Sequence, residues 1–220
     1  MKHFKLRTDL TIEVGAKTLC RIEATKDIER FGVKAGDLGG YIEKEDNLSG
    51  NAWVSGDALV YDDALVSGNA LVSGNAWVYG NAQVYGNAQV RGNTWVCGNA
   101  YVYGNAQVHG NAQVSGNASV SGNAQVYGDA QVHGNAQVRG DEIEKENDLI
   151  NITSNSGSYN ITITPNHIKI GCQYHSKTAW FKFTDNEIMK MDGDKAVEWW
   201  RTWKPILKQI CDSFASNKEE

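Results

Sequence analysis

Residues 50–140 decide the fold, because they repeat one hexad without a change of phase, as in GNAQVYGNAQVRG at positions 80–92. Val occupies every sixth position from Val54 onward, fifteen times in all. Ala stands two places before each Val except at Thr94, and Gly stands two places after each Val except at Asp62. A period of six does not line one face of an α-helix, which turns about every 3.6 residues. The pattern instead predicts very short strands that end in bends and stack into a solenoid.

The hexads resemble the hexapeptide-repeat proteins, whose chains form a left-handed parallel β-helix. A large aliphatic residue is followed four places on by a small one, as in Val54 and Ala58, throughout residues 50–140. The resemblance implies three flat faces with three hexads per coil, so that the fifteen hexads form about five coils. Stacked strands about 4.8 Å apart would give a rod roughly 24 Å long. We expect Val and Ala to fill the interior, and corner amides to form ladders. One such ladder would comprise Asn51, Asn69, Asn87, Asn105 and Asn123.

Residues 1–49 are predicted to form an N-terminal cap, because the end of a solenoid exposes unpaired strand edges that must be covered. Apolar residues alternate loosely over 3–14 and recur over 19–24, which indicates strands. The segment DLGGYIEKE at 37–45, followed by LSGNA at 48–52, resembles the opening of hexapeptide-repeat proteins carried by bacteriophages and prophages. This resemblance implies a phage or prophage origin.

Residues 141–220 are predicted to form a small α+β segment that covers the other end of the rod. Residues 142–148 are charged and polar, which favours a linker. Apolar and polar residues then alternate, and we predict strands over 149–153, 159–164, 167–171 and 179–183. An amphipathic helix is predicted over 196–214, with a turn and N-cap at Asp192-Gly193-Asp194 before it and a kink or a second start at Pro205.

Composition excludes several classes of function. The net charge is −5, and only six charged residues lie within 50–140, so the chain has no basic stripe for nucleic acid. The four cysteines are far apart, which suits a reducing compartment. The first ten residues lack the apolar run of a signal peptide, and no apolar run is long enough to span a membrane. We therefore expect a cytoplasmic protein with no cofactor, and the resemblance to phage proteins implies that the cytoplasm is that of a bacterial host.

The outward positions of the hexads are the candidate binding surface. Every eighteenth residue shares a column, and large apolar side chains gather in the first three coils, whereas Gln, Ser and His gather in the last two. An exposed aromatic band on a rod suggests an interface.

We predict that this interface joins three copies in a homotrimer, as the resemblance implies. The alternative is cover by the flanking segments. The candidate interface residues in the repeats are Trp53, Tyr61, Trp77, Tyr79, Tyr85, Arg91, Trp95, Tyr101 and Tyr103.

Catalysis is the alternative function that the resemblance implies, since many hexapeptide-repeat proteins are acyltransferases that use acyl-CoA and a His base. His109 and His133 are the two histidines of the repeats, and they would lie on adjacent faces of neighbouring coils. A general base also needs a partner and a pocket. The family's enzymes build theirs with a loop that leaves the coil, and residues 50–140 contain no such insertion.

Two clusters near the C-terminus are further candidates. Cys172 and His175 have a metal-ligand spacing but lack a second pair, so no metal site is expected. The second cluster consists of Trp199, Trp200 and Trp203. It predicts a hydrophobic core or, if the side chains are exposed, a cage that binds a flat ring or a partner helix.

The preferred hypothesis is a non-catalytic, phage-derived binding protein that acts inside the bacterial cell. It would occupy a host protein, conceivably one of host defence, or capture a small molecule. The alternatives are an acyl-CoA-dependent acyltransferase and a structural part of a virion or of its assembly.

Overall fold

A computed structural model describes residues 2–145, 148–152 and 159–216, and the side chains of residues 214–216 lie outside this description. The chain divides into two compact units, Met1–Asn147 and Asp148–Glu220.

The first unit is built almost entirely from β-strands, with short 3₁₀ turns at Glu29–Phe31 and Glu45–Asn47. The strands are β1 (Phe4–Val14), β2 (Lys17–Ala24), β3 (Leu38–Ile42), β4 (Trp53–Val54), β5 (Leu59–Val60), β6 (Leu65–Val66), β7 (Leu71–Val72), β8 (Trp77–Val78), β9 (Gln83–Val84), β10 (Gln89–Val90), β11 (Trp95–Val96), β12 (Tyr101–Val102), β13 (Gln107–Val108), β14 (Gln113–Val114), β15 (Ser119–Ser121), β16 (Gln125–Val126), β17 (Gln131–Val132), β18 (Gln137–Arg139) and β19 (Glu142–Ile143).

These strands form a parallel β-solenoid with three faces. Face 1 contains β4, β7, β10, β13, β16 and β19; face 2 contains β5, β8, β11, β14 and β17; face 3 contains β6, β9, β12, β15 and β18. Within the repeats each strand pairs in register with the strand eighteen residues away, as Trp95 does with Trp77 and with Gln113. The predicted mainly β architecture is confirmed.

The interior consists of stacked Val and Ala. All fifteen repeat valines are fully buried, as are the Ala or Thr side chains two places before them. Burial of one Val contributes roughly 1.5–3 kcal/mol, which makes this stack the main stabilising element of the unit.

The solenoid is longer than the hexads indicate. Ile42 pairs with Val60 and Leu48 bridges to Val66, so that two buried residues precede Val54 at the same spacing of six. At the other end, buried Ile143 pairs with Val126. The solenoid therefore has about six turns, close to the predicted five.

The corners explain the Gly-Asn pair of each hexad. Gly68 has a φ of 69°, and a Cβ added there would lie 3.0 Å from the backbone nitrogen of Gly86 in the next coil. The backbone N–H of Asn69 donates to the Gly86 carbonyl at 2.7 Å. The Asn side chains form the predicted ladder, with Nδ2 to Oδ1 distances of 3.0 to 3.4 Å from Asn51 to Asn123. Glycine is required by close approach as well as by conformation.

An N-terminal hairpin extends face 2. Strand β2 pairs antiparallel with β1 and with β3, and β3 pairs parallel with β5. The strands predicted over 3–14 and 19–24 are confirmed. Leu19 of the hairpin is fully buried and packs against Leu59 and Tyr61 on the outside of the solenoid.

The second unit contains an antiparallel sheet and helices. Its strands are β20 (Ile150–Ile152), β21 (Ile161–Ile163), β22 (His167–Ile170) and β23 (Gln173–Ser176), paired in that order, and its helices are α1 (Lys177–Lys182) and α2 (Asp185–Ser216). The core joins the inward face of the sheet to Trp180, Trp200 and Leu207. No helix among the described residues is long and apolar enough to cross a membrane.

Three predictions about residues 141–220 need correction. The strand predicted over 179–183 is wrong, because the Ser176 side chain accepts a hydrogen bond from the Ala179 N–H and begins α1 there. The turn predicted at Asp192-Gly193-Asp194 is present, because Gly193 with a φ of 72° interrupts α2 there, whereas the second helix start predicted at Pro205 is wrong, since Pro205 lies inside α2. The linker predicted from residue 142 is wrong at its start, because β19 occupies that position.

Parts of these predictions fall on residues that are not described. Residue 153, at the end of one predicted strand, and residues 146–147 of the predicted linker lie outside the described residues. So does the side chain of Phe214, the last residue of the predicted helix.

Candidate functional site

Six aromatic residues on the second and third faces and at their corners form a group that we name the aromatic belt. Their side chains point away from the Val interior because they occupy the alternate positions of each strand and its first corner residue. The members are Trp77, Tyr79, Tyr85, Trp95, Tyr101 and Tyr103.

In-register stacking arranges the belt. Positions eighteen residues apart lie one above the other, so identical residues there become parallel ring pairs. The Trp77 and Trp95 rings lie 5.8 Å apart with an interplanar angle of 18°. The Tyr85 and Tyr103 rings lie 5.0 Å apart at 3°. Because each ring is held by a strand of the ladder, little conformational entropy remains to be lost when a partner binds.

Two belt residues are the most accessible. Trp95 is 43% exposed and Tyr101 is 38% exposed. They belong to adjacent strands of one coil, β11 on face 2 and β12 on face 3. The other belt side chains are half-buried beside them. The aromatic side chains thus lie on both sides of the edge between faces 2 and 3, along which the amides of Asn81 and Asn99 form a ladder.

The N-terminal segment covers other predicted interface residues. Trp53 is 1% exposed and lies 6.3 Å from the His3 ring, and Tyr61 is 9% exposed beneath Leu19. These two aromatic side chains therefore contact the N-terminal segment. For them, cover by a flanking segment applies, which was the alternative to an interface between copies.

Salt bridges fix the N-terminal hairpin to the solenoid. The Lys17 ammonium lies 2.8 Å from the Asp62 carboxylate and 2.8 Å from that of Glu43. Asp62 has a φ of 60°, the one positive φ of a non-glycine residue among those described. Its carboxylate also accepts the backbone N–H of Gly80 at 3.0 Å. Asp62, which stands where the other hexads have Gly, thus anchors the hairpin to this corner.

The belt remains uncharged near neutral pH. Burial and a hydrogen bond with Cys97 raise the pKa of Tyr79 to about 12. Burial beside Tyr103 also raises the pKa of Tyr85. Arg91, the predicted charged member of the interface, is exposed on face 1 and donates to Gln107 at 2.8 Å. Arg91 thus lies at the corner between β10 and β11, and its side chain reaches back to face 1.

The two repeat histidines are not brought together as an acid–base pair. The His109 ring stacks on Tyr127 at 5.3 Å, and its pKa is lowered by burial and by the charge of Arg91. His133 is exposed; its carbonyl accepts the Ala136 N–H, and its imidazole forms no hydrogen bond or ion pair among the described residues. Within the same residues, no group of three or more His, Cys, Asp or Glu side chains is placed to hold a metal ion.

The C-terminal tryptophans belong to the core of the second unit. Trp200 is 2% exposed, and its indole N–H finds no acceptor among the described residues. Trp199 and Trp203 are half-buried and stack at 5.4 Å. By contrast, the Trp180 N–H donates to the Ile168 carbonyl at 2.7 Å.

A cleft that no sequence pattern predicts opens beside these tryptophans. Its volume is about 140 Å³. The lining residues are Tyr159, Ile170, Cys172, Gln173, Trp180, Ile188, Met191, Asp192, Ala196, Trp199 and Trp200. The one local signal for it was Asp192-Gly193, which marks the break in the helix. The association of Tyr159 with Asp192, 33 positions apart, depends on tertiary packing.

Comparison with known families supports the architecture. The family described as the YdcK beta solenoid repeat matches residues 64–80, 82–98, 96–110 and 112–128, all of them in the solenoid. No curated protein matches the chain at a significant level. Together with the parallel ladders and the buried Val stack, the family match makes this chain a repeat β-helix protein of the β-solenoid kind.

Proposed function

We propose that this protein is a non-catalytic binding protein whose aromatic belt holds a protein partner. The observation that carries the proposal is the exposure of Trp95 and Tyr101 on one coil of a regular scaffold. Trp and Tyr are enriched among the residues that dominate binding energy at interfaces. Each is backed by a strand, so the surface is already ordered before a partner arrives.

The chemistry of the belt favours an apolar partner surface. Its rings are neutral near pH 7, and Arg91, the one charged residue among the predicted interface residues, is engaged by Gln107. A partner would therefore gain from burying aromatic area and would gain little from charge pairing. We expect binding that changes weakly with salt concentration.

The proposed place of action is the cytoplasm of a bacterial host, with a host protein, conceivably one of host defence, as the partner. The support is the resemblance of the segment 37–52 to the opening of hexapeptide-repeat proteins of phages and prophages. A partner that is part of a virion would instead indicate a role in assembly.

A capture experiment with host lysate tests the belt. The variant is Trp95→Gln with Tyr101→Gln. Gln occupies the equivalent positions Gln113 and Gln83 in neighbouring coils, so the fold should tolerate both changes. We expect capture of a discrete host protein to fall by roughly tenfold or more, since each such anchor contributes about 2 kcal/mol.

The matched control is Gln113→Ala with Gln131→Ala, which alters face 2 in the later coils and should leave capture unchanged. Equal capture by the wild type and the Trp95→Gln, Tyr101→Gln variant would contradict the proposal. So would acetyl-CoA turnover that disappears in His109→Ala or His133→Ala.

Self-association through the same belt is also proposed, with a homotrimer as the expected state. Three copies packed through the belt would bury Trp95 and Tyr101 in the manner of an oligomer interface. Light scattering at micromolar concentration measures this directly. A trimer that dissociates in the double Gln variant assigns the belt to self-association, whereas a monomer rules out the trimer and leaves the belt for the host partner.

A further inference from the structure

The cleft of the second unit has aromatic walls that meet at right angles. The rings of Tyr159 and Trp199 have centroids 5.0 Å apart and an interplanar angle of 87°. Trp180 and Trp200 line the same cleft and lie 5.3 Å apart at 42°. Four aromatic side chains therefore surround a space of about 140 Å³.

One carboxylate lines the cleft. Asp192 is the one formally charged residue among the described residues that line the cleft, and it is exposed. Its Oδ2 accepts the hydroxyl proton of Tyr159 at 2.6 Å, which orients the carboxylate toward an aromatic wall. This hydrogen bond also raises the pKa of Tyr159 to about 12, so the phenol stays neutral beside the charge.

The break in α2 places that carboxylate. Asp192 has φ −157° and ψ 35°, and Gly193 has a φ of 72° that other residues rarely adopt. The backbone is not helical at these two residues and becomes helical again after them. The Asp192 side chain therefore lies at the cleft and not at a regular helical position. A regular helix through this point would carry the side chain elsewhere.

We propose that this cleft binds a small organic cation with a quaternary or methylated ammonium group. The faces of aromatic rings carry negative electrostatic potential and attract such cations, most strongly at Trp. A carboxylate adds charge complementarity without requiring the cation to donate a hydrogen bond. No lining residue among those described is basic, but the Lys204 ammonium lies 5.5 Å from the centroid of the Trp200 ring, so the contacts to the ligand cation are assigned to Tyr159, Trp199 and Asp192.

The size of the cleft fits the head group of such a ligand. An apolar cavity of about 150 Å³ is known to accept one benzene molecule. A trimethylammonium group is of comparable bulk, and the exposed side of Asp192 leaves room for a substituent to extend toward solvent. A nucleotide or a peptide side chain with its backbone would be too large to enter whole.

The test is calorimetric titration of the full-length protein with choline and with its uncharged carbon isostere, in which a tert-butyl group replaces the trimethylammonium group. We expect saturable binding of choline and binding of the isostere that is weaker by roughly tenfold or more, since only the cation gains from the ring faces and the carboxylate. Indole N–H signals in a nitrogen–proton spectrum should shift at Trp199 and its neighbours in the cleft.

Substitutions separate this binding from a purely apolar pocket. Choline affinity should fall in the order wild type, Trp199→Phe, Trp199→Leu, which follows the strength of the cation–π interaction. Asp192→Asn should weaken choline and leave the isostere unchanged. Met189→Ala, an exposed position of α2 outside the cleft, is the matched control.

Three results would overturn the proposal. One is the absence of saturable heat with both choline and tetramethylammonium. Another is equal affinity for choline and its isostere, which would describe an apolar cleft without preference for charge. The third is choline binding that survives both Trp199→Leu and Asp192→Asn. None of these depends on the aromatic belt, so this proposal and the proposed function stand or fall separately.

Discussion

Thr94 is the residue at which the interior of the repeats departs from its own pattern. It replaces Ala in the hexad, is fully buried, and its hydroxyl has no hydrogen-bond partner among the described residues. Its carbonyl accepts the Trp77 N–H at 2.9 Å, so the backbone ladder is intact there. Folding removes the water that hydrogen-bonds this hydroxyl in the unfolded chain. Because no protein group replaces that water, the buried hydroxyl destabilises the folded state.

We therefore expect Thr94→Val to stabilise the first unit by about 1–2 kcal/mol, since it keeps the shape and removes the hydroxyl. Urea unfolding measures the change. Thr94→Ser is the comparison, because it keeps the hydroxyl and loses the methyl group, and it should be less stable than wild type. A Thr94→Val protein that unfolds at lower urea concentration than wild type would contradict this account.

The N-terminal hairpin shows how one element is fastened to the solenoid. Strands β1 and β2 extend face 2 by antiparallel pairing, and Lys17 joins them to the corner at Asp62. Hydrogen bonding to Lys17 holds the pKa of Asp62 below its usual 3.8. A carboxyl whose pKa is depressed in the folded state stabilises that state above the unfolded pKa, and the stabilisation is lost as the pH falls through the folded value.

Acidification below about pH 3.8 should therefore loosen the hairpin in wild type more than in Asp62→Asn. Asn tolerates the positive φ at this corner, so the substitution removes the charge and keeps the backbone. Hydrogen exchange of the β1 and β2 amides as a function of pH is the measurement. Identical acid profiles for the two proteins would exclude Asp62 as the titrating anchor.

At the scale of the whole molecule, the two units have separate cores. The first depends on the stacked Val and Ala, and the second on residues such as Ile168, Trp200 and Leu207. A domain with its own core unfolds as its own cooperative unit. The chain should thus unfold in two steps in denaturant, one of them accompanied by loss of the helical circular dichroism signal from α2.

Val96→Ala should shift only the solenoid step, by about 2 kcal/mol, and Leu207→Ala only the helical step, by about 2–5 kcal/mol. Both side chains are fully buried. Each variant serves as the control for the other. A single transition that both substitutions shift together would contradict independent unfolding.

The sequence alone determined the solenoid, because every hexad carries its own strand, corner and inward residue, and copies eighteen residues apart must then lie in register. The same regularity concealed the ends. Ile42 keeps the spacing of six but has no Gly-Asn pair after it, Leu48 has Asp46 where the hexads have Ala, and Ile143 comes one position early. Pairing with neighbouring coils, which no local pattern records, adds them to the core.

Only the tertiary structure decided which aromatic side chains remain accessible. Trp53 and Trp95 occupy the same position of the hexad, yet the N-terminal segment buries the first and leaves the second exposed. The cleft likewise depends on the contact between Tyr159 and Asp192 and on the break at Gly193. A repeated local pattern specifies strands and corners because their energetics are local, whereas burial of a surface residue depends on which distant segment packs over it.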